Sequence, residues 1–201
     1  MTLETLKENF LSVLETYDTK KKARQSSLIA PWLGIERTPK GLSQRVGNYL
    51  EDLFALDMGD QNKLHLTDFK KDRNFMIMHE GSSHQIDMLA MPSDWVQWKR
   101  YVHREIKTNT DLDRGKKRDT LAREKSIEQW MQSKGWEYDS GIFCPFFYGK
   151  GKKVGNPMKN GLGWVDGLEW YIETFKPSWT VQDFKDLGRD PEVHRVLGII
   201  D

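Results

Sequence analysis

The chain has 201 residues, 37% hydrophobic and 30% charged with eight tryptophans, so it carries enough apolar material for a folded core and too much for a disordered chain. Its 31 basic and 30 acidic side chains nearly cancel, leaving a formal +1, so bulk charge announces no nucleic-acid partner and any such partner must be read from local patches. The single cysteine, Cys144, excludes an internal disulfide and a cysteine-built zinc cage.

Length alone predicts one domain over 1–201. The N-terminal stretch lacks the basic start and apolar centre of a signal peptide, and no apolar run approaches the ~20 residues of a membrane span. The expectation is a cytoplasmic protein with no membrane partner.

Leu3, Leu6, Phe10, Val13, Leu14 and Tyr17 recur at helical spacing, which predicts an amphipathic N-terminal helix within 1–20. PWLGIERTPKG then reads as a loop. A second helix is expected from Ser43, with Val46, Leu50, Leu53 and Phe54 on its buried side and Glu51 beside that stripe. The period then becomes strand-like. Two extended runs, about 75–78 and 84–91, are expected around the turn EGSS, and a third near 101–107.

Residues 116–134 form the clearest helix of the second half, with Leu121, Ile127, Trp130 and Met131 inward and Gly135 ending it. IFCPFFYG, 142–149, reads as an apolar strand in which Pro145 favours an edge or a bulge, with Cys144 as a buried small hydrophobe. The lysine- and glycine-rich 149–163 reads as a loop. WVDGLEWYIETF is expected to add a strand or short helix, followed by helix in WTVQDFKDL and a last turn starting at Pro191. The order points to an α/β or α+β domain with a central mixed sheet flanked by helices.

An acidic residue, any residue, then lysine occurs at Asp18/Lys20, Asp68/Lys70, Glu105/Lys107 and Asp183/Lys185. Only Glu105 and Lys107 fall on a convincing strand, where residues two apart share a face while Ile106 points the other way. Asp87 lies on the preceding strand among Ile86, Met88 and Leu89, where an unpaired carboxylate is costly. Two convergent carboxylates make a hard-oxygen site suited to Mg²⁺, which takes its remaining ligands from water and substrate phosphate. The bland alternative for Glu105 and Lys107 is a surface ion pair, worth about 0–1 kcal/mol.

Asp87, seventeen residues, then Glu105-Ile106-Lys107, with Glu51 on an earlier helix, resembles the PD-(D/E)xK nucleases and among them the type II restriction endonucleases. Ile86 stands where the family's name has proline. The resemblance covers a core of about 43–148, leaving 149–201 and the N-terminal helix for DNA recognition or dimerisation. It implies a restriction-endonuclease-like fold, with Mg²⁺ held by Asp87, Glu105, the Ile106 carbonyl and Glu51. Lys107 would place the attacking water. The implied reaction is site-specific cleavage of double-stranded DNA by a homodimer, leaving 5′-phosphate and 3′-hydroxyl ends.

Two basic groups are candidates for DNA contact. Arg114, Lys116, Lys117, Arg118, Arg123 and Lys125 follow the motif, where they would flank the scissile phosphate. Lys150, Lys152, Lys153 and Lys159, with Asn156 and Asn160, sit in the glycine-rich segment, which would reach a groove. His79, His84, His103 and His194 have no metal-ligand spacing and are assigned no role, though His103 beside the motif strand could face DNA. A structure-selective repair or junction nuclease and a non-catalytic DNA-binding protein remain open alternatives.

Overall fold

Strand-period and helix-period segments alternate through a mixed α+β fold, seen in a computed structural model that describes residues 2–15, 23–24, 28–36, 38–39, 46–47, 50, 53–54, 76–91, 100–108, 114–154 and 163–196. The first elements are α1 (Leu3–Glu15), β1 (Ala23–Arg24), α2 (Ile29–Trp32), β2 (Thr38–Pro39), β3 (Met76–His79), β4 (Ser82–Gln85), β5 (Met88–Ala90) and β6 (Arg100–Ile106). Then come α3 (Arg114–Ser133), β7 (Glu137–Phe143), β8 (Gly151–Val154), β9 (Gly163–Asp166), α4 (Leu168–Phe175), α5 (Val181–Leu187) and α6 (Pro191–Val196). The chain divides into two compact units, Met1–Leu53 with Pro177–Asp201, and Phe54–Lys176.

In the first unit Leu6 and Phe10 of α1 are buried, as their spacing predicts, whereas Leu3 is exposed. Trp32 is the centre of the packing. Its ring stacks on Phe184 at 5.1 Å and meets Phe10 edge-on at 5.1 Å, while its indole N–H donates to the Phe184 carbonyl at 2.8 Å. A buried indole thus keeps a hydrogen-bond partner. Thr180 starts α5 with a capping box, its hydroxyl accepting from the Asp183 N–H and the Asp183 carboxylate accepting from the Thr180 N–H. Val46, Leu50 and Leu53 are helical and buried, as predicted.

The second unit is built on a five-stranded mixed sheet in the order β5-β6-β7-β9-β8. β6, β7 and β9 run parallel, and β5 and β8 close the two edges antiparallel. A parallel pair needs a long crossover, and α3 supplies it between β6 and β7. Side chains of β6 then alternate between two faces. On the α3 face, Leu89 packs with Ile127 and Met131, and Tyr101 stacks on Trp136 at 4.4 Å. On the other face, Phe54, Phe143 and Tyr171 pack together with centroids 4.8–5.5 Å apart.

Several expectations change here. The run 84–91 is not one strand: β3 and β4 form a hairpin, and a bend at Asp87 separates β4 from β5. The hairpin turn is Glu80-Gly81, both with positive φ, as a tight two-residue turn requires. Leu121 is not inward; it is 39% exposed, and Thr120 and Glu124 take the buried positions on α3 with Ile127 and Met131. The apolar strand is 137–143 rather than 142–149, and it is interior to the sheet, because Pro145 cannot continue an interior ladder and falls in the turn that follows.

The segment 149–163 is not simply loop, since β8 and β9 pair antiparallel on either side of residues 155–162, which lie outside the described residues. Gly167 closes that region. A Cβ there would overlap the carbonyl oxygens of Phe147 and Gly149, so only glycine allows the backbones to approach. No described helix is long and apolar enough to cross a membrane.

Candidate active site

At the C-terminal end of β6 the pairing with β5 has ended at Met88↔Arg104, while that with β7 continues to Ile106↔Phe143. Glu105, the last α3-facing residue of β6, is fully buried. Its Oε1 pairs with Lys107 Nζ from its own strand and with an Arg123 terminal guanidinium nitrogen from α3. Its Oε2 is buried without a hydrogen-bond partner. Ile106 between them is fully buried, and the Lys107 N–H continues the ladder to the Phe143 carbonyl at 2.8 Å.

Asp87 reaches the same place from the bend before β5. The register Met88↔Arg104 sets Asp87 opposite Glu105, and Asp87 Oδ2 accepts the Ile106 backbone N–H at 3.1 Å. Burial pushes the Asp87 carboxyl above its ordinary range, against the pull of Lys107, Arg123 and the Ile106 N–H toward the charged form. Two carboxylates and two cations therefore meet within one small volume. Beside them opens a cavity of about 710 Å³, lined by His84 and Ser82 of β4, by Lys107, and by Lys116, Thr120 and Arg123 of α3.

Behind this cluster, toward the interior, His103 and Glu124 share Ser140: the hydroxyl donates to Glu124 Oε2 at 3.1 Å and lies 2.9 Å from His103 Nδ1. Burial pushes His103 down to about 3 and Glu124 up to about 8. Both are therefore uncharged near neutrality, and the 3.7 Å approach of His103 Nδ1 to Glu124 Oε1 is not an ion pair. His103 is fully buried and does not face a ligand, contrary to the expectation from its position beside the motif.

On the opposite face of the sheet Arg104 is buried. It donates to Asp166 at 2.8 Å, to Asp139 at 3.1 Å and to the His103 and Asp139 carbonyls at 2.8 Å, with its guanidinium 4.2 Å from the Trp170 ring centre. This cation is fully employed in the fold.

Of the sequence-predicted site residues, Asp87, Glu105, Ile106 and Lys107 come together. Glu51 lies outside the described residues, as do Asn156, Asn160 and Lys159 and the side chain of Arg114. Lys116 lines the cavity, Lys117 is half-buried, Lys125 is exposed, and Arg118 is exposed beside Asp119 at 3.4 Å. Arg123 lines the cavity and is at the same time a direct partner of Glu105. Lys150 pairs with Glu173 at 2.8 Å, which holds the Lys150 ammonium above its usual value. Lys152 lies 5.3 Å from the Phe147 ring, and Lys153 is exposed on β8.

The role of Arg123 and the presence of His84 in the cavity wall were missed from sequence. Arg123 had a signal: it is one helical turn before the buried Ile127, on the face of α3 that meets the sheet. His84 had none.

The donor set suits a hard divalent cation. Glu105 offers a buried, unpartnered carboxylate oxygen, and Asp87 supplies a second carboxylate. No group of three or more His, Cys, Asp or Glu side chains placed to hold a metal occurs among the described residues. A cation here would therefore draw on two carboxylates, a backbone carbonyl and oxygens of water or substrate, a set that Mg²⁺ accepts. Comparison with protein-family models, with curated proteins and with solved structures finds no match.

Proposed function

We propose that the protein is a Mg²⁺-dependent, site-specific endonuclease of double-stranded DNA, with a restriction-endonuclease-like fold. The observation that carries this reading is the convergence of Asp87, Glu105 and Lys107 at one strand end, with Asp87 hydrogen-bonded to the Ile106 N–H between the other two. Asp87, Glu105 and the Ile106 carbonyl would hold the cation. When bound, Mg²⁺ supplies Lewis-acid stabilisation of charge on the phosphodiester.

The chain's own residues would do the rest. Lys107 Nζ, anchored by Glu105, would orient a water in line with the P–O3′ bond. As the water oxygen bonds to phosphorus and gives a proton to solvent, that bond breaks, leaving a 5′-phosphate, and the 3′ oxygen takes a proton from solvent water and leaves as a hydroxyl. Lys116 and Arg123 on the cavity wall would hold negative phosphate oxygens by charge-assisted hydrogen bonds. Lys152 and Lys153 on β8 would add backbone contacts, with Asn156 and Asn160 reading base edges. A two-fold dimer would match a palindromic site. This reading places the enzyme in the cytoplasm with DNA.

The test is incubation of purified protein with unmodified plasmid and phage DNA, in Mg²⁺ and in EDTA, beside Glu105→Ala. Discrete fragments that need Mg²⁺ and disappear in the variant are expected. A second reading is favoured by one observation, that Lys107 and Arg123 both pair with Glu105 Oε1 as a structural ion cluster would. In that case the protein binds DNA without cutting it, equally well in EDTA.

A further inference from the structure

Arg123 has two neighbours of opposite demand. One terminal nitrogen pairs with Glu105 Oε1, on the carboxylate that the nuclease reading gives to a cation, and the residue also lines the 710 Å³ cavity with Lys107, Lys116 and His84. Its Nε is buried without a partner, so the Glu105 contact leaves part of the guanidinium unused. An arginine fork satisfies itself best on a planar or tetrahedral oxyanion that takes two of its N–H groups at once. A phosphate in the cavity offers that, and the cavity wall already carries the lysines that would attract it.

Charge leads to the same point. Asp87 and Glu105 face Lys107 and Arg123, two negative groups against two positive. A divalent cation that binds Glu105 through the unpartnered Oε2 meets two positive side chains already held on Oε1 of the same carboxylate. A phosphate drawing Arg123 toward the cavity lowers that opposition and brings a negative charge of its own.

We infer that Arg123 couples the two ligands of this site: a DNA phosphate in the cavity beside α3 takes the guanidinium from Glu105, and the released carboxylate binds the divalent cation. Phosphate and cation then bind with positive cooperativity, which by reciprocity strengthens each in the presence of the other. Arg123 is a positioning residue in this scheme, acting through Glu105. The inference rests on the nuclease reading, and its test separates the two.

Calorimetric titration of the full chain with Ca²⁺, which takes the same oxygen ligands, is carried out alone and with saturating phosphorothioate duplex, for wild type and Arg123→Gln. In wild type the duplex is expected to tighten Ca²⁺ binding on the order of 10-fold, within the usual span of coupled sites. Arg123→Gln is expected to bind Ca²⁺ more tightly than wild type without duplex, and its gain from duplex to shrink to within about threefold. Lys134→Gln removes an equal charge at the far end of α3 and should leave wild-type coupling, which guards against a bulk-field explanation.

If Arg123→Gln is poorly folded, Arg123→Lys serves, because its shorter cation should loosen the hold on Glu105 and reduce the coupling. Undiminished coupling in the variants overturns the role of Arg123 while leaving the metal centre standing. No Ca²⁺ binding by wild type, with or without duplex, overturns both.

Discussion

Asp87 Oδ2 accepts the backbone N–H of Ile106 at 3.1 Å, so a carboxylate from the bend before β5 is fastened to the residue lying between Glu105 and Lys107. The bond supplies a partner for a strand N–H that would otherwise be orphaned beyond the β5 ladder. It also means that the site is assembled by the sheet itself.

Replacing Asp87 by Asn keeps an acceptor for that N–H and removes the charge. Burial raises the Asp87 carboxyl, so the folded protein holds this proton to higher pH than the unfolded chain does. The stability it contributes is therefore full below the ordinary carboxylate range and is lost as pH rises through the raised value. Asp87→Asn should raise Tm at pH 8, leave it unchanged near pH 3, and abolish cleavage. Melting curves at the two pH values, beside a plasmid assay, check both halves.

Glu105 neutralises two cations in a buried setting. Glu105→Ala leaves Lys107 and Arg123 facing each other, and breaking a buried pair by deleting one partner costs about 3–5 kcal/mol. Glu105→Gln should cost less, because its carbonyl oxygen still accepts from both. The order is read from urea midpoints, and a smaller loss for Ala than for Gln would show that the cluster is more exposed to water than its burial implies.

The Glu124 carboxyl, pushed up to about 8, is protonated in the fold and ionised in the unfolded chain between its ordinary value and pH 8. Stability should therefore fall across that window as pH rises. His103, pushed down to about 3, gives the opposite limb: stability is lost as pH falls below its ordinary range toward 3. Glu124→Gln removes the alkaline limb alone, so the Tm difference between pH 6 and pH 9 should shrink in that variant while the acid limb stays.

Lys152 and Lys153 lie on β8, and the nuclease reading gives them phosphate contacts. Reversing both to Glu should weaken duplex binding across all sequences and lower the salt slope of log K by about 1 for each phosphate no longer neutralised. Fluorescence anisotropy over a salt series reads this. Unchanged affinity would falsify a DNA role for this hairpin.

The motif strand, its neighbour Asp87 and helix α3 were legible because each depends on local period: β6 alternates at every second residue, and α3 repeats its buried positions every turn. What alternation cannot show is where a strand stops pairing. The run from His84 to Met91 reads as continuous, yet it breaks at Asp87, because the carboxylate finds its partner on β6 rather than in its own ladder. The β8–β9 pair was hidden for a different reason, since glycine and lysine mark loops as readily as edge strands. Leu121 misled because an apolar residue on a helix need not face inward; the burial of Glu124 goes with the hydroxyl that Ser140 offers it. Arg123 belonged to a basic cluster in sequence, and only the packing of α3 on the sheet separated it from its neighbours.

Arg104 and Glu105 are adjacent on one strand and serve opposite faces of one sheet, the first fixed by Asp139 and Asp166, the second by Lys107 and Arg123. A slip of β6 by a single residue would exchange them, setting a guanidinium against Arg123, since Lys107 moves with its strand, and a carboxylate against Asp139 and Asp166. Misaligned sheets are thereby penalised on both sides at once. The same charges that equip the site thus set the nearest wrong alignment of the sheet at an energetic disadvantage to the native one.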